Sequence, residues 1–127
     1  MTFKLGPRSL LRLKGVHPDL VKVVQLAIKL SSVDFTVLEG LRLPEHQKAL
    51  VAAGASQTLN SRHLTGHAVD LGAWIDSEVR WDWPLYYKIA DAMKEAATKC
   101  EVPIEWGGDW KNFPDGPHFQ LPWSKYP

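Results

Sequence analysis

The sequence predicts an α+β fold, in which helices pack on a small, mainly antiparallel sheet. Residues 17–31 and 84–100 carry apolar side chains three and four positions apart, which is the spacing of an amphipathic helix. Four shorter segments are rich in β-branched or alternating apolar residues and are typical of strands: residues 33–38, 67–74, 104–106 and 118–121. The chain has 127 residues, which is the length of one compact domain.

The first half of the chain is predicted to form a helix, a strand and a second helix. In residues 17–31, Pro18 suits the first helical turn, where its missing N–H costs nothing. Residues 33–38 predict a short strand that stops at Gly40. A second helix is expected from Pro44 to the region of Gly54, followed by a small, polar loop over residues 55–61.

The second half begins with the strand over residues 67–74, in which Asp70 lies on the face opposite the apolar set. Residues 75–81 predict a turn and a short returning strand. Asp82 is placed to cap a long helix that begins near Pro84. The last two short strands are separated by a loop rich in Gly, Asn, Asp and Pro.

The composition excludes several classes of protein. Hydrophobic residues make up 45% and charged residues 23%, which is the balance of a folded globular chain. The 15 basic and 14 acidic residues give a net charge of +1, so the chain lacks the basic excess typical of nucleic-acid and membrane-surface binding. No apolar run reaches the roughly 18 residues of a membrane span, and the first residues do not resemble a secretory signal. We therefore expect no nucleic-acid partner, no stable membrane insertion and synthesis in the cytoplasm.

Two histidines and one carboxylate, His63, Asp70 and His118, are chosen as metal ligands. Imidazoles and a carboxylate suit Zn²⁺, and three protein ligands leave the open fourth position of a catalytic site. His67 lies four residues after His63, but the strand pattern argues against a helical ligand pair. Hydrolysis also needs a base beside the metal, and the turn formers between Asp115 and His118 can bring that carboxylate to the same side.

The same residues carry a family resemblance. The order Ser-x-His-x-x-Gly-x-Ala-x-Asp occurs at residues 61–70, and an acidic residue, two others and a histidine follow at residues 115–118. This pattern resembles the D-alanyl-D-alanine peptidase, or LAS, superfamily of zinc metallopeptidases. Within it, the small phage endolysins that are L-alanyl-D-glutamate peptidases are similar over nearly the whole chain. The resemblance implies a LAS/hedgehog-type fold and a single zinc peptidase catalytic domain over residues 1–127.

The resemblance also implies residue roles. In this family the motif histidine and aspartate and the distal histidine hold one zinc ion, and the acidic residue of the distal motif is the catalytic base. These roles fall on His63, Asp70, His118 and Asp115, in agreement with the chemical interpretation.

Further residues are predicted to contact the substrate or support the site. Gly40-Leu41-Arg42 resembles a Gly-x-Arg element of the family, so Arg42 is expected to bind a substrate carboxylate or the developing oxyanion, assisted by Gln47. Ser61 is expected to orient a ligand or the loop by hydrogen bonding. The segment at residues 106–110 resembles another part of the endolysins. It makes Asp109 an alternative to Asp115 as the base, and Trp106 and Trp110 candidates for the wall of the substrate groove.

The function implied by the resemblance is that of a phage endolysin, which hydrolyses the L-Ala–D-Glu bond of peptidoglycan stem peptides and lyses the host. Such a protein is expected to be a monomer. It waits in the host cytoplasm until a holin permeabilises the membrane, and then acts on periplasmic peptidoglycan. The length leaves no room for a wall-binding domain, which favours a Gram-negative host.

Two alternatives stay open at this point. One is a D-Ala-D-Ala carboxypeptidase or dipeptidase of the same superfamily, because Gly116-Pro117 departs from the Gly-Gly often found in phage relatives and leaves the cleaved bond open. The other is a non-catalytic, zinc-containing wall-binding module.

Overall fold

The structure is a computed structural model and describes residues 2–56 and 60–127. Its helices and strands follow one another in the order α1 Pro7–Arg12, α2 Pro18–Leu30, β1 Phe35–Glu39, α3 Pro44–Ala52, β2 Ala68–Ile75, β3 Glu78–Arg80, α4 Trp83–Cys100, β4 Glu105–Trp106 and β5 His118–Gln120. Two short 3₁₀ helices, Arg62–Thr65 and Gly107–Asp109, precede β2 and follow β4. The predicted α+β fold is confirmed. Of the predicted loop over residues 55–61, the part at 57–59 lies outside the described residues.

The strands form one antiparallel sheet with the order β1-β2-β5-β4, and β3 pairs with the far end of β2. In this register Asp70 of β2 lies opposite Glu39 of β1 on one side and opposite His118 of β5 on the other. The β1–β2 register shifts between Val37 and Glu39. The middle of the sheet therefore brings a carboxylate and a distant histidine side by side.

Helices α2 and α4 pack against each other, and α4 also contacts β2. Each helix buries the stripe that the spacing of its apolar residues predicts. In α2 this stripe consists of Leu20, Val23, Val24, Ala27 and Ile28. With this core on one side of the sheet, the polar residues of β2 and β5 are left to face the site.

Helix α1 was not predicted, because six residues are too few to show a helical repeat. Its Ser9 is buried, and the Ser9 hydroxyl accepts a hydrogen bond from the Val37 N–H at 2.9 Å. Arg12 donates to the Val37 carbonyl at 3.0 Å. The helix thus satisfies backbone groups at the edge of β1 that would otherwise be free to pair with another strand.

The predicted side-chain cap of α4 is wrong. Asp82 occupies the N-cap position, but its side chain makes no capping hydrogen bond. Its carboxylate instead accepts from Arg80 at 2.9 Å, because a guanidinium two residues earlier competes with the helix N–H groups for the same oxygens.

Candidate metal centre and active site

Three side chains converge at the centre of the sheet. His63 Nε2 lies 3.1 Å and His118 Nδ1 lies 3.2 Å from Asp70 Oδ1. One ligand atom from each residue lies within 4.8 Å of the others, and within residues 2–56 and 60–127 this is the group of His, Cys, Asp or Glu that can hold a metal ion. Both imidazoles are buried, whereas the Asp70 side chain is 20% exposed. The cluster is therefore open to the pocket on its carboxylate side.

The local fold explains the spacing of the motif. Ser61 caps the 3₁₀ helix by accepting from the His63 N–H at 3.2 Å, so its hydroxyl fixes the turn that carries this histidine. Gly66 ends the turn at φ 76°, and a Cβ there would lie 2.2 Å from the Gly15 carbonyl oxygen, so only glycine fits. The chain then enters β2, which places Asp70 beside His63.

In both histidines, the ring nitrogen that points away from Asp70 is hydrogen-bonded. His63 Nδ1 lies 2.8 Å from the Gly40 carbonyl oxygen, which can only accept, so Nδ1 carries the proton. His118 Nε2 lies 2.8 Å from Gln120 Oε1. In its neutral form, each imidazole with this proton position directs the lone pair of its other nitrogen towards Asp70.

This donor set fits a divalent cation. Two nitrogen lone pairs and a carboxylate that face one another repel unless protons or a cation lie between them. Burial alone would raise the pKa of Asp70, but hydrogen bonds and charge from His118 and His63 hold it well below its usual range. Burial alone would lower the pKa of His118, but its contacts with Asp70 raise it. The arrangement that attracts protons here also attracts a metal ion, whose binding releases those protons.

Asp115 lies beside the cluster on the loop between β4 and β5. Its N–H donates to the Gly107 carbonyl at 2.9 Å, and its own carbonyl accepts from the His118 N–H at 3.2 Å. A Cβ at Gly107 would lie 2.5 Å from the Asp115 carbonyl oxygen, so glycine permits this close approach. Trp106 Nε1 fastens the same loop by donating to the Gly116 carbonyl at 2.7 Å.

The environment of Asp115 suits proton transfer. Its side chain is half-buried and lines the same pocket as the three cluster residues. Burial, and then the negative charge of Asp70, raise the pKa of Asp115. No other side chain in the described part of the chain hydrogen-bonds to its carboxylate, which leaves that group available to a water or a substrate amine.

The structure does not bring Asp109 into the site. Its side chain is 61% exposed, accepts from Lys94 Nζ at 3.1 Å, and does not line the pocket. His67 also lies outside, with Nδ1 2.7 Å from the Thr65 hydroxyl. Neither residue can contribute to the pocket from these positions.

The two tryptophans predicted for the groove wall, Trp106 and Trp110, lie in different environments. Trp106 is buried in the core and does not line the pocket, so the structure contradicts its placement in the groove wall. Its indole is held between the aromatic side chains of α4 and Phe119. Trp110 lines the pocket, with its ring centroid 5.1 Å from that of His118.

Arg42 lines the pocket and is tied to three partners. Its Nε contacts Glu39, its Nη1 donates to Gln47 Oε1 at 2.6 Å, and its Nη2 lies 3.8 Å from Asp70 Oδ2. Gln47 is buried and donates onward to the Ser56 hydroxyl at 2.9 Å. Gln47 therefore acts by holding the guanidinium in place, while Arg42 presents its Nη2 side to the cluster.

The pocket has a volume of about 690 Å³ and includes residues that the sequence did not single out. The missed lining residues include Glu39, Arg62, Phe113, Gln120 and Trp123. Gln120 could have been found, because it lies two residues after His118 on a strand and so shares its face. Trp123 stacks on Arg62, whose guanidinium carbon lies 3.9 Å from the ring centroid, and the sequence does not predict this contact.

Comparisons with known proteins identify the family of the chain. The sequence profile of the phage L-alanyl-D-glutamate peptidase family matches residues 1–121. The L-alanyl-D-glutamate peptidase of Escherichia phage T5 is 32% identical over 114 residues, which cover 87% of this chain and 83% of the relative. The crystal structure of the L-Ala D-Glu endopeptidase ChiX from Serratia marcescens matches with a TM-score of 0.91 and 54% identity, over 95% of this chain and 91% of ChiX.

A more distant structure shares the fold. The vancomycin resistance D,D-dipeptidase VanXYg matches with a TM-score of 0.56 and 22% identity, over 84% of this chain and 50% of that chain. Because the family profile covers nearly the whole length, the chain belongs to the phage L-alanyl-D-glutamate peptidase family.

Proposed function

We propose that this chain is a zinc-dependent endopeptidase that hydrolyses the L-Ala–D-Glu bond of peptidoglycan stem peptides. The observation that carries the proposal is the half-buried carboxylate of Asp115 beside the cluster of His63, Asp70 and His118, within one pocket. The relatives named for this activity, at 54% and 32% identity, support the choice of bond.

Zinc is the proposed metal, with His63 Nε2, Asp70 and His118 Nδ1 as its ligands. Two imidazoles and one carboxylate form a known catalytic zinc set, and the opening on the Asp70 side leaves room for a fourth ligand from solvent or substrate. When bound, zinc lowers the pKa of water and polarises a carbonyl group.

Asp115 is proposed to act as the general base and then as the general acid. Its carboxylate takes a proton from the attacking water, and it returns that proton to the amine of D-glutamate as the C–N bond breaks. The raised pKa suits both steps, because a carboxyl group with a pKa nearer neutrality retains the proton until the amine accepts it.

Arg42 is proposed to bind a substrate carboxylate or the oxyanion that forms at the scissile carbonyl. Its Nε and Nη1 are held by Glu39 and Gln47, so the remaining Nη2 is fixed towards the cluster. A guanidinium fixed in advance loses little conformational freedom when the charge develops.

The biological setting is part of the same proposal. Residues 1–127 would form one catalytic domain that acts as a monomer, is made in the host cytoplasm and reaches periplasmic peptidoglycan once a holin has permeabilised the membrane. Among the described residues, no helix combines the length and the apolar character needed to span a bilayer.

The proposal is tested by mass spectrometry of the soluble fragments released from Gram-negative sacculi, with a chelator-treated sample as the control. We expect peptides that begin with D-glutamate, while L-alanine stays on the glycan, and no release after chelation. Loss of terminal D-alanine alone would instead identify a carboxypeptidase. The absence of any metal-dependent product would favour a wall-binding module.

A further inference from the structure

We propose that Gln120, supported by Glu105, is a positioning residue that fixes the orientation and tautomer of His118 and thereby sets the affinity of the site for zinc. The inference rests on the proposed zinc site and extends the contact between His118 and Gln120 to a role in zinc affinity that also involves Glu105.

Hydrogen bonds join His118, Gln120 and Glu105 in a chain, and each donates to the next residue in that order. His118 Nε2 lies 2.8 Å from Gln120 Oε1, and Gln120 Nε2 donates to Glu105 Oε2 at 3.3 Å. An ionised carboxylate only accepts, so Glu105 must receive the amide N–H of Gln120. The amide oxygen then faces His118 and requires a proton on Nε2. The result is an Nδ1 lone pair directed at Asp70 and the metal position.

The sheet register builds this chain of hydrogen bonds. His118 and Gln120 are two residues apart on β5 and share a face, and Gln120 is paired with Glu105 in the β4–β5 register. Gln120 is buried, and water therefore offers little competition for its amide. Backbone pairing therefore places these three residues next to one another.

The two histidines differ in what holds them. The Nδ1 proton of His63 is bound by the Gly40 backbone carbonyl, which no side-chain substitution removes. The Nε2 proton of His118 is bound by a side chain. His118 is thus the ligand whose geometry depends on the identity of two other residues.

The test compares zinc dissociation constants, measured by chelator competition, for the wild type, Gln120→Leu, Glu105→Gln and the exchanged pair Q120E/E105Q. We expect Gln120→Leu to bind zinc roughly 10- to 100-fold more weakly, which is the usual effect of removing the partner of a metal-bound histidine. Glu105→Gln should show a smaller loss, because the amide introduced there no longer forces the Gln120 orientation.

The exchanged pair Q120E/E105Q tests whether the zinc affinity lost in the single variants is restored. In this variant the carboxylate introduced at position 120 would accept from His118, and the amide introduced at position 105 would donate to that carboxylate, so the direction of the chain is kept. We expect affinity close to that of the wild type, and ¹⁵N chemical shifts of His118 that report a protonated Nε2 and a metal-bound Nδ1. Asp109→Asn, an acid-to-amide change outside the chain of hydrogen bonds, is the control and should bind zinc as the wild type does.

Equal zinc affinity in the wild type, Gln120→Leu and Glu105→Gln would overturn the inference. Failure of the exchanged pair to recover affinity, with its fold intact by circular dichroism, would also overturn it. If Gln120→Leu does not fold, Glu105→Gln and the exchanged pair decide the matter. A wild-type protein that binds no zinc would count against the proposed function itself, which separates the two failures.

Discussion

Asp109 and Asp115 lie on the same loop between β4 and β5, yet they occupy different environments. Asp109 points to solvent and pairs with Lys94 of α4. Asp115 is folded back against Gly107, is half-buried, and has a pKa raised by burial and by the charge of Asp70. The two residues have the same functional group, so the difference between them arises from the backbone contacts that direct one of them inward.

The largest expected effect comes from removing the inner carboxylate. Asp115→Asn should lower kcat for L-Ala–D-Glu cleavage by roughly 10²- to 10⁴-fold, the usual contribution of a general acid–base group, while zinc stays bound. Asp109→Asn is the matched control and should leave kcat unchanged. Turnover by zinc-loaded protein and zinc content by atomic emission measure both. Loss of zinc together with activity in Asp115→Asn would make Asp115 a ligand or a structural residue.

A smaller loss is expected from Arg42→Lys. Lysine keeps the charge but cannot reach Glu39, Gln47 and Asp70 at once, as the guanidinium does. We expect kcat/KM to fall roughly 10- to 100-fold, which is less than the roughly 10²- to 10³-fold cost of removing an oxyanion-stabilising donor, because lysine keeps the positive charge. Steady-state kinetics on a defined stem peptide measure the effect. An unchanged kcat/KM would show that one point charge is sufficient at this position.

The contact that holds the loop inward can be weakened by Trp106→Phe. Phenylalanine keeps an aromatic ring in the core but removes the N–H that binds the Gly116 carbonyl. The lost hydrogen bond and the unsatisfied carbonyl should misplace Asp115, and we expect kcat to fall by about tenfold with zinc affinity retained. Kinetics and chelator competition on the same preparation separate the two quantities. A kcat equal to that of the wild type would show that the backbone contacts of Asp115 with Gly107 and His118 hold the loop without the indole N–H.

The smallest effect is on stability. Because the pKa of Asp115 is raised above 3.8, the folded metal-free protein holds this proton more tightly than the unfolded chain. The stability that this carboxyl contributes is present below pH 3.8 and is lost as the pH rises through the raised pKa. At a pH above the raised pKa of Asp115, the Asp115→Asn variant should therefore melt at a higher temperature than the wild type. Below pH 3.8 the difference between the two melting temperatures should disappear.

Asp109→Asn is again the control for the melting experiment. Its exposed pair with Lys94 is screened by solvent, so little change in melting temperature is expected at any of these pH values. A gap of the same size in both variants would show that the effect does not come from burial of Asp115.

The difference between Asp109 and Asp115 also shows how much of the site can be predicted from the sequence alone. The positions of His63 and Asp70 follow from local rules, a capped turn ended by glycine and then a strand, so the motif spacing predicts them. The distal Asp115 and His118 were identified by resemblance and by the turn formers between them. Asp109 could not be excluded in the same way, because its partner Lys94 lies on a helix whose packing is a property of the tertiary structure.

Two further outcomes depended on tertiary structure. Trp106 was expected at the groove, but packing between α4 and β5 buries it. Its indole N–H instead holds the loop by donating to the Gly116 carbonyl. The contact between Gln120 and Glu105 depends on the register of two very short strands, which apolar alternation over two or three residues does not fix.

The most direct test of the central claim is the position of the metal, located by anomalous X-ray scattering at the zinc edge from crystals grown with zinc. We predict one zinc ion bound by His63 Nε2, Asp70 and His118 Nδ1, with Asp115 near it but beyond the roughly 2.0–2.2 Å of a zinc–carboxylate bond. A zinc ion bonded to Asp115, or an anomalous peak away from this cluster, would contradict it.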